Sequence, residues 1–232
     1  MTEERRLRIL TMLVGSSGAE IAVNRICVVC AEVMQLSGAG VMLIDGDTSS
    51  HTACASNEIS NVIDNIQIEF GEGPSLDAYR ERRPVLEKDL VVTGAQRWVA
   101  FSQTAAEAGV RAIFAFPLRI GAVRIGAFHV YRDTPGFLTN DQHADALLLA
   151  DVIAHTLIMM QANAPHGRLA AELEANLGFQ YIVHQASGMV AAQLKIDVRE
   201  ALVRLQASAF GNERSLLEVA GDVVERRMRF AD

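Results

Sequence analysis

Three cysteines are the first side chains in this sequence whose chemistry would be distinctive. They are Cys27, Cys30 and Cys54, and an odd number without regular spacing argues against a disulfide framework. Cys27 and Cys30 lie three residues apart in a predicted helix and so share one face, but no second Cys or His pair stands at metal-binding spacing. We therefore expect no metal site, and we interpret these cysteines as small, buried apolar residues.

The four histidines of residues 1–164 fall within predicted regular elements, His51 and His129 in strands and His143 and His155 in a long helix. A haem site would need an axial His or Cys aimed into an apolar pocket. Nothing in the sequence pairs these histidines, and no attachment motif for a bilin accompanies Cys54. We interpret them as surface or satisfied core groups, and we expect no cofactor.

Common catalytic motifs are missing from the sequence. It contains no Gly-x-Ser-x-Gly elbow, no P-loop and no His-Glu-x-x-His, and its acidic residues are scattered at positions typical of a surface. The segment Gly71-Glu72-Gly73-Pro74 offers only two glycines and an acid, so we interpret it as a conformational loop and not as a phosphate cradle. We predict that the protein is not an enzyme and has no catalytic residue.

Composition is typical of a soluble globular protein, with 232 residues that are 50% hydrophobic and 21% charged. That length allows one large domain or two ordinary ones. The apolar stretches and the N-terminus favour a cytoplasmic protein without a membrane segment. The net charge is −7, and residues 166–232 carry 8 Lys/Arg and 9 Asp/Glu. Any binding of nucleic acid must therefore depend on a local patch or on shape.

Residues 1–164 have the pattern of an α+β domain with an antiparallel sheet, preceded by an amphipathic helix at 3–14. The clearest feature is a hairpin of two apolar, β-rich runs joined at Gly121-Ala122. Residues 58–70 are mixed, and the alternation of Ile66, Ile68 and Phe70 indicates the end of a strand. The other patterns predict helices at 19–35, 74–82, 98–108 and 139–161, the last with Thr139 as N-cap, and strands at 39–44, 51–55, 84–86, 112–120 and 123–131.

Only helical patterns follow Pro165 and Gly167, so residues 165–232 are predicted to form an all-α domain. Leu169, Leu173 and Leu177 recur every four residues, which is typical of a helix that packs on another helix or forms a short coiled coil. Asp197 and Ser215 each precede an acid by three residues, the spacing of a capping box. These signals divide the segment from about 178 to 224 into three helices.

This segment also carries a recognisable series of motifs. They are Val183-His184-Gln185-Ala186-Ser187-Gly188, then Asp197 with Glu200-Ala201, then residues 216–223, in order and with intact spacing. The segment resembles an ANTAR domain. The resemblance implies a three-helix unit that binds paired hairpins with hexanucleotide loops in nascent RNA and so promotes transcription antitermination.

RNA contacts follow from that resemblance, because unstacked loop bases can be read by stacking and hydrogen bonds while basic groups hold phosphates. The family usually has Arg, Lys and Asn where this chain has Gln180, Ser187 and Glu213. The alternative is therefore a sensor or scaffold protein whose helical tail serves dimerisation or protein interaction without RNA. The candidate RNA-binding residues are His184, Gln185, Ser187, Lys195, Arg199, Arg204 and Arg214.

A second resemblance covers roughly residues 19–160. The order of elements, the segment 71–78, the pair Trp98 and Phe101, and the segment 109–112 are similar to a GAF domain. This implies an antiparallel sheet with helices on both sides, a sensory or dimerisation role, and an unknown small-molecule ligand held near residues 58–108. The candidate lining residues are Phe70, Trp98, Phe101 and Phe114.

The two resemblances together predict a signal-responsive GAF–ANTAR regulator that acts as a homodimer, since paired hairpins suit a two-fold protein. The amphipathic helix 3–14, the long helix 139–161 and the leucine stripe at 169–177 would supply the dimer surfaces.

Overall fold

A computed structural model describes Leu7, Thr11, Met12 and residues 23–45, 49–163, 178–212 and 214–230. Most of the predicted helix at 3–14, the leucine stripe at 169–177 and Glu213 lie outside these residues, as does the side chain of Gln180. The predictions made for them therefore stay predictions.

A five-stranded sheet organises the first part of the chain. Its strand order is β2-β1-β5-β4-β3, and every neighbouring pair is antiparallel. The predicted hairpin is confirmed: β4 and β5 pair along their whole length, and the turn places Gly121 at φ 58°. The strands are β1 (Gly38–Asp45), β2 (Ser49–Ala55), β3 (Val85–Glu87), β4 (Ala112–Ile120) and β5 (Val123–Arg132).

Helices cover both faces of this sheet, as the antiparallel α+β prediction required. The long helix begins with the predicted cap, because Gln142 N donates to Thr139 Oγ1 while Thr139 N donates to Gln142 Oε1. The helices are α1 (Val23–Met34), α2 (Glu58–Phe70), α3 (Pro74–Glu81), α4 (Val99–Glu107) and α5 (Asn140–Asn163).

The strand end predicted within residues 58–70 is wrong, because this segment is the helix α2. Asn57 caps it by accepting a hydrogen bond from Ser60 N, and Gly71 ends it in the left-handed conformation at φ 65°. The buried residues Ile63 and Ile66 follow helical spacing and face the core. The alternating apolar residues Ile66, Ile68 and Phe70 fit the period of a strand as well as part of a helix, so this short pattern does not distinguish the two.

Alternation along the strands divides the core into two layers. Phe114 and Phe116 of β4 point to the side covered by α1 and α5. Ile113 and Ala115 point to the opposite side, where α2, α3 and α4 lie. The sheet is thus buried on both faces, which explains why its central strands are apolar at nearly every position.

Cys27 and Cys54 form a disulfide between α1 and the edge strand β2, with a Cα–Cα distance of 6.0 Å. This corrects the expectation that the cysteines are unpaired. The bond joins positions 27 residues apart, and only the packing of α1 across β2 brings them together. Cys30, one helical turn from Cys27, is a buried free thiol, and burial raises its pKa.

Within the described residues, one helix is long and apolar enough to span a bilayer, at residues 140–160 of α5. Leu149, Ile153 and Ala154 of this helix are buried against the sheet and α1. A core helix of a globular domain meets the same criteria of length and composition, so this finding carries little weight.

The C-terminal region is helical, with α6 (Gly178–Leu194), α7 (Val198–Gly211) and α8 (Leu216–Val224) packed around a core of their own. Both predicted caps are present. Asp197 accepts hydrogen bonds from Arg199 N and Glu200 N at the start of α7, and Ser215 forms a complete capping box with Glu218 at the start of α8. We refer to α6–α8 as the helical bundle.

The bundle touches the sheet domain at the C-terminal end of α2. Gln206 Nε2 donates to the carbonyl of Ile68 at 3.2 Å, and Leu216 N donates to Glu69 Oε1 at 3.0 Å. The latter contact places a carboxylate at the N-terminus of α8, where the helix dipole favours it. The rings of Phe70 and Phe210 meet edge to face, with centroids 6.3 Å apart. We call this contact the seam; it comprises Ile68, Glu69, Phe70, Gln206, Phe210 and Leu216.

Candidate functional site

A fully buried group of polar side chains lies between the sheet and helices α2 and α3. His129 of β5 and Asp64 of α2 are both 0% exposed, with Nδ1 of His129 3.3 Å from Oδ1 of Asp64. Ser75 lies at the start of α3, and its Oγ is 3.5 Å from the same nitrogen. Gln67 binds Ser75 twice, accepting from its backbone N at 2.7 Å and donating to its Oγ at 3.1 Å. We call these four residues the polar cluster.

Burial removes the charges from this cluster. It raises the pKa of Asp64 from its ordinary 3.8 to about 8, an effect that the side chain of Thr52 partly opposes. It also lowers the pKa of His129 from 6.5 to about 3. Because transfer of a charge into an apolar interior is costly, both groups are neutral near pH 7. Asp64 is then a neutral acid beside a neutral imidazole.

Ser75, His129 and Asp64 have the residue types of a nucleophilic triad but not its geometry. In a triad, the serine and the carboxylate contact opposite nitrogens of the imidazole. Here both approach Nδ1, and among the described residues no hydrogen-bond partner reaches Nε2 of His129. Ser75 is also 0% exposed, so its hydroxyl does not face a substrate. The arrangement therefore lacks the geometry for attack on a bound ester or amide.

Gly40 on β1 makes room for the imidazole. A Cβ at this position would stand 2.4 Å from Cε1 of His129 and 3.3 Å from Oδ2 of Asp64. Both distances are shorter than ordinary van der Waals contact, so a larger side chain would displace the pair. The cluster therefore depends on a close approach between β1 and β5 as well as on its own polar atoms.

The polar cluster was not predicted from the sequence. His129 was interpreted as a lone histidine, and the acids as surface groups, whereas Asp64 is completely buried. The signal that identifies this cluster in the sequence is the helical period of residues 58–70. With that period, Asp64 and Gln67 lie one turn apart on the same face as Ile63, so two polar groups stand on the buried side of a helix.

The Gly71-Glu72-Gly73-Pro74 segment acts as a connector between helices. Gly71 and Gly73 have φ values of 65° and 140°, which favour glycine. One carboxylate oxygen of Glu72 accepts hydrogen bonds from the backbone N atoms of Ala100 and Phe101, at 2.8 and 2.9 Å, in the first turn of α4. The segment thereby fixes α3 and α4 beside the polar cluster.

The four aromatic residues predicted to line a ligand pocket do not surround a common space. Trp98 and Phe101 pack edge to face in the layer of α2–α4, and Trp98 Nε1 donates to Asp77 at 2.9 Å. Phe70 lies at the edge of that layer and contacts the bundle. Phe114 points to the opposite side of the sheet, among residues of α1 and α5. The strand alternation of β4 is the reason for this separation.

The predicted RNA-binding residues are spread over the bundle. His184 and Gln185 of α6, Lys195 between α6 and α7, and Arg199 of α7 are all exposed. Lys195 adopts the left-handed conformation at φ 55°, which is uncommon for a residue with a side chain. His184 and Arg199 also lie beside the seam, where they face the sheet domain.

Three of the candidates are engaged within the bundle. Ser187 is only 2% exposed and donates to the carbonyl of Val183 at 2.8 Å, so it is not placed to contact RNA. Arg214 is paired with Asp222 at 2.6 Å, and Arg204 lies 3.4 Å from Glu200. Arg214 and Arg227 hold the pKa of Asp222 below its usual range.

Comparison with known proteins concerns mainly the first part of the chain. The GAF domain family model matches residues 16–157, which is more than half of the sequence. The chain belongs to the GAF family. A search of the curated proteins found no significant match.

Two solved GAF domains have the same fold, and both come from a phosphoenolpyruvate-protein phosphotransferase. The one from Coxiella burnetii is 12% identical, with a TM-score of 0.53 over 68% of this chain and 94% of that one. The one from Acinetobacter is 14% identical, with a TM-score of 0.50 over 70% of this chain and 98% of that one. At such low identity, the likeness extends to the fold alone.

The GAF domain of this chain is thus the expected antiparallel sheet between two helical layers, in a family of sensory and ligand-binding domains. The match ends at residue 157, so it does not include the bundle, and the ANTAR resemblance there stays a prediction. Within the described residues, no group of three or more His, Cys, Asp or Glu side chains could hold a metal ion.

Proposed function

We propose that this protein is a cytoplasmic, signal-responsive regulator that binds paired hairpins in nascent RNA and promotes transcription antitermination. The GAF domain supplies the sensory part. The proposal for the bundle rests on the ANTAR-like motifs and on one structural observation, which is the division of the motif residues into buried and exposed ones.

Motif residues divide into a buried set and an exposed set. Ala186, Ala201 and Ala220 are all 0% exposed and let the three helices approach closely. His184 and Gln185, from the same motif as Ala186, are exposed on α6. The exposed polar residues of the motif are thus accessible to the unstacked bases of an RNA loop, while the small residues hold the helices together.

A titration by gel shift tests this proposal. The probe is an RNA with two hairpins, each with a hexanucleotide loop, and its control has the same stems closed by tetraloops. We expect saturable binding of the first RNA only. Arg199→Glu and Lys195→Glu should each weaken binding about tenfold and reduce the salt dependence by about one phosphate contact.

Arg83→Glu is the matched control variant. Arg83 is an exposed arginine of the GAF domain that pairs with Glu81 and is not a candidate RNA contact, so it gives the same change of charge outside the bundle. Equal weakening by Arg83→Glu would mean that only the overall charge matters. Absence of saturable binding to the hexaloop RNA would refute the proposal.

The second candidate function is a sensor or scaffold whose bundle mediates dimerisation or protein interaction. The observation that favours it is the engagement of Ser187 and Arg214 within the bundle, together with large apolar side chains on its surface. Tyr181, Val203 and Phe210 are 71%, 60% and 62% exposed, and such groups are typical of protein interfaces when they cluster.

Sedimentation at micromolar concentration distinguishes the alternatives for assembly. The proposed homodimer predicts twice the mass of 25.2 kDa, and a monomer would contradict it. A dimer that fails to bind either RNA would favour the second candidate function.

A further inference from the structure

A cavity of about 300 Å³ lies beside the seam, between the GAF domain and the bundle. Its walls come from β2, α2 and α3 on one side and from α6, α7 and the start of α8 on the other. The volume is at the lower end of the range of roughly 300–1,000 Å³ that is typical of small-molecule sites. Because both halves of the chain contribute, the cavity exists only while the bundle is docked.

Positive charge gathers at this cavity in a protein with a net charge of −7. Among the residues that the structure describes, its lining includes two cationic side chains, Arg80 from the GAF domain and Arg199 from the bundle, together with His184, and no acidic side chain. Such an arrangement attracts an anion and repels a cation.

Apolar side chains complete the lining. Leu76 comes from the GAF domain, and Leu202 and Val203 come from α7. Leu76 is 5% exposed and belongs to the core beneath the cavity, whereas Val203 is 60% exposed at its rim. The cavity thus combines an apolar surface with two guanidinium groups from opposite walls, and a ligand that matches it has an apolar body and a negative charge.

The contacts of Arg80 leave it suited to a ligand. Its guanidinium lies 3.4 Å from the carbonyl of Gly71 and 3.9 Å from Asp77. Both distances are long for a charge-assisted hydrogen bond, which is usually about 2.7–2.9 Å. A carboxylate or phosphate would offer the planar guanidinium a shorter, bidentate partner.

We propose that this cavity binds a small organic anion, with a carboxylate or phosphate held between Arg80 and Arg199 and an apolar body packed on Leu76, Leu202 and Val203. Such a ligand contacts both halves of the chain, so it stabilises the docked arrangement by mass action. Arg199 and His184 are also candidate RNA contacts, so the ligand would compete with RNA. The competition with RNA rests on the proposed function, whereas binding of the anion does not.

Fluorine NMR titration of the full-length chain with para-(trifluoromethyl)benzoate tests the site. The uncharged para-(trifluoromethyl)benzamide has nearly the same shape and serves as the ligand control. We expect the benzoate to bind at least about tenfold more tightly than the amide, since a hydrogen bond to a charged group contributes roughly 1.5–3 kcal/mol. Equal affinities for the two compounds would overturn the proposal.

Arg80→Gln and Arg199→Gln should each weaken benzoate binding about tenfold and leave amide binding unchanged. Arg83→Gln and Arg204→Gln are the matched controls, because these exposed arginines lie near the same elements but do not line the cavity. Benzoate affinity that is unchanged in both Arg80→Gln and Arg199→Gln would overturn the assignment of the anion site.

Val203→Trp provides a test that does not alter charge. Val203 is mostly exposed on α7, so the larger side chain does not disturb the core of the bundle, and it would fill the cavity from its rim. We expect this variant to lose benzoate binding. Benzoate binding equal to that of the unaltered chain would place the ligand elsewhere and refute the proposal.

Discussion

Replacing Asp64 with Asn should change how the stability of the GAF domain depends on pH. In the folded protein, the pKa of Asp64 is raised from 3.8 to about 8. The folded state therefore holds a proton that the unfolded chain releases, and stability falls as pH rises towards the folded-state pKa. Asparagine cannot ionise, so Asp64→Asn should remove this dependence.

His129 contributes with the opposite sign. Its pKa is lowered from 6.5 to about 3, so the unfolded chain binds a proton that the folded state does not, and stability is lost as pH falls below 6.5. Between about pH 4 and 6.5 the two effects largely cancel. Above 6.5 only Asp64 remains, at about 1.4 kcal/mol per pH unit. We expect a loss of about 2 kcal/mol between pH 6.5 and 8.

Urea unfolding followed by tryptophan fluorescence provides the assay. Trp98 is the one tryptophan in the sequence. It is 2% exposed and donates to Asp77 within the GAF domain. Its emission therefore reports the unfolding of this domain separately from that of the bundle, which a chain with separate cores in the two parts requires. The free energy of unfolding is extrapolated to zero urea at each pH, and the slope with urea should stay constant.

Glu58→Gln is the matched control for this experiment. Glu58 is an exposed acid in the first turn of the same helix α2, so its replacement removes a carboxylate without touching the polar cluster. This variant should keep the alkaline loss of stability, and Asp64→Asn should not. A flat profile for the unaltered protein above pH 6.5, or an unchanged slope in Asp64→Asn, would refute the account of a buried neutral acid.

Four further changes have outcomes that follow directly from the structure. Gly40→Ala places a Cβ against the imidazole of His129 and should destabilise the GAF domain by about 1–3 kcal/mol in urea unfolding. Gly188 lies in a helix with open space around it, so Gly188→Ala should stabilise the bundle by up to about 1 kcal/mol. Ser215→Ala removes both hydrogen bonds of the serine hydroxyl in the capping box and should destabilise the bundle by about 1 kcal/mol, as measured by thermal unfolding followed by circular dichroism. Cys54→Ala should cost about 3 kcal/mol under oxidising conditions, given a separation of 27 residues, and a reducing agent should destabilise the unaltered protein but not this variant.

Local signals in the sequence were sufficient for most of the fold. The β4–β5 hairpin, the cap at Thr139 and the caps at Asp197 and Ser215 were all predicted, and the structure has each of them. These features depend on residues a few positions apart, so their types and spacing suffice. Helix α2 was missed because three apolar residues at alternating positions fit a strand as well as part of a helix.

Candidate sites were harder to predict, because they depend on contacts between distant elements. Asp64 and His129 are 65 residues apart and meet only through the packing of α2 on β5. Cys27 and Cys54 are likewise joined by tertiary packing, and Phe114 was separated from the other aromatic candidates by the alternation of β4. No short motif records such long-range contacts, so the sequence alone left these side chains looking isolated.

The strength of the seam determines how firmly the GAF domain and the bundle stay docked. Among the described residues, its contacts include two hydrogen bonds and one pair of aromatic rings, and each contact of these kinds contributes only about 0.5–1.5 kcal/mol. Contacts of this strength predict a minor population of undocked molecules beside the docked ones. A ligand or partner that prefers one of the two states by a few kcal/mol would be enough to change which of them predominates.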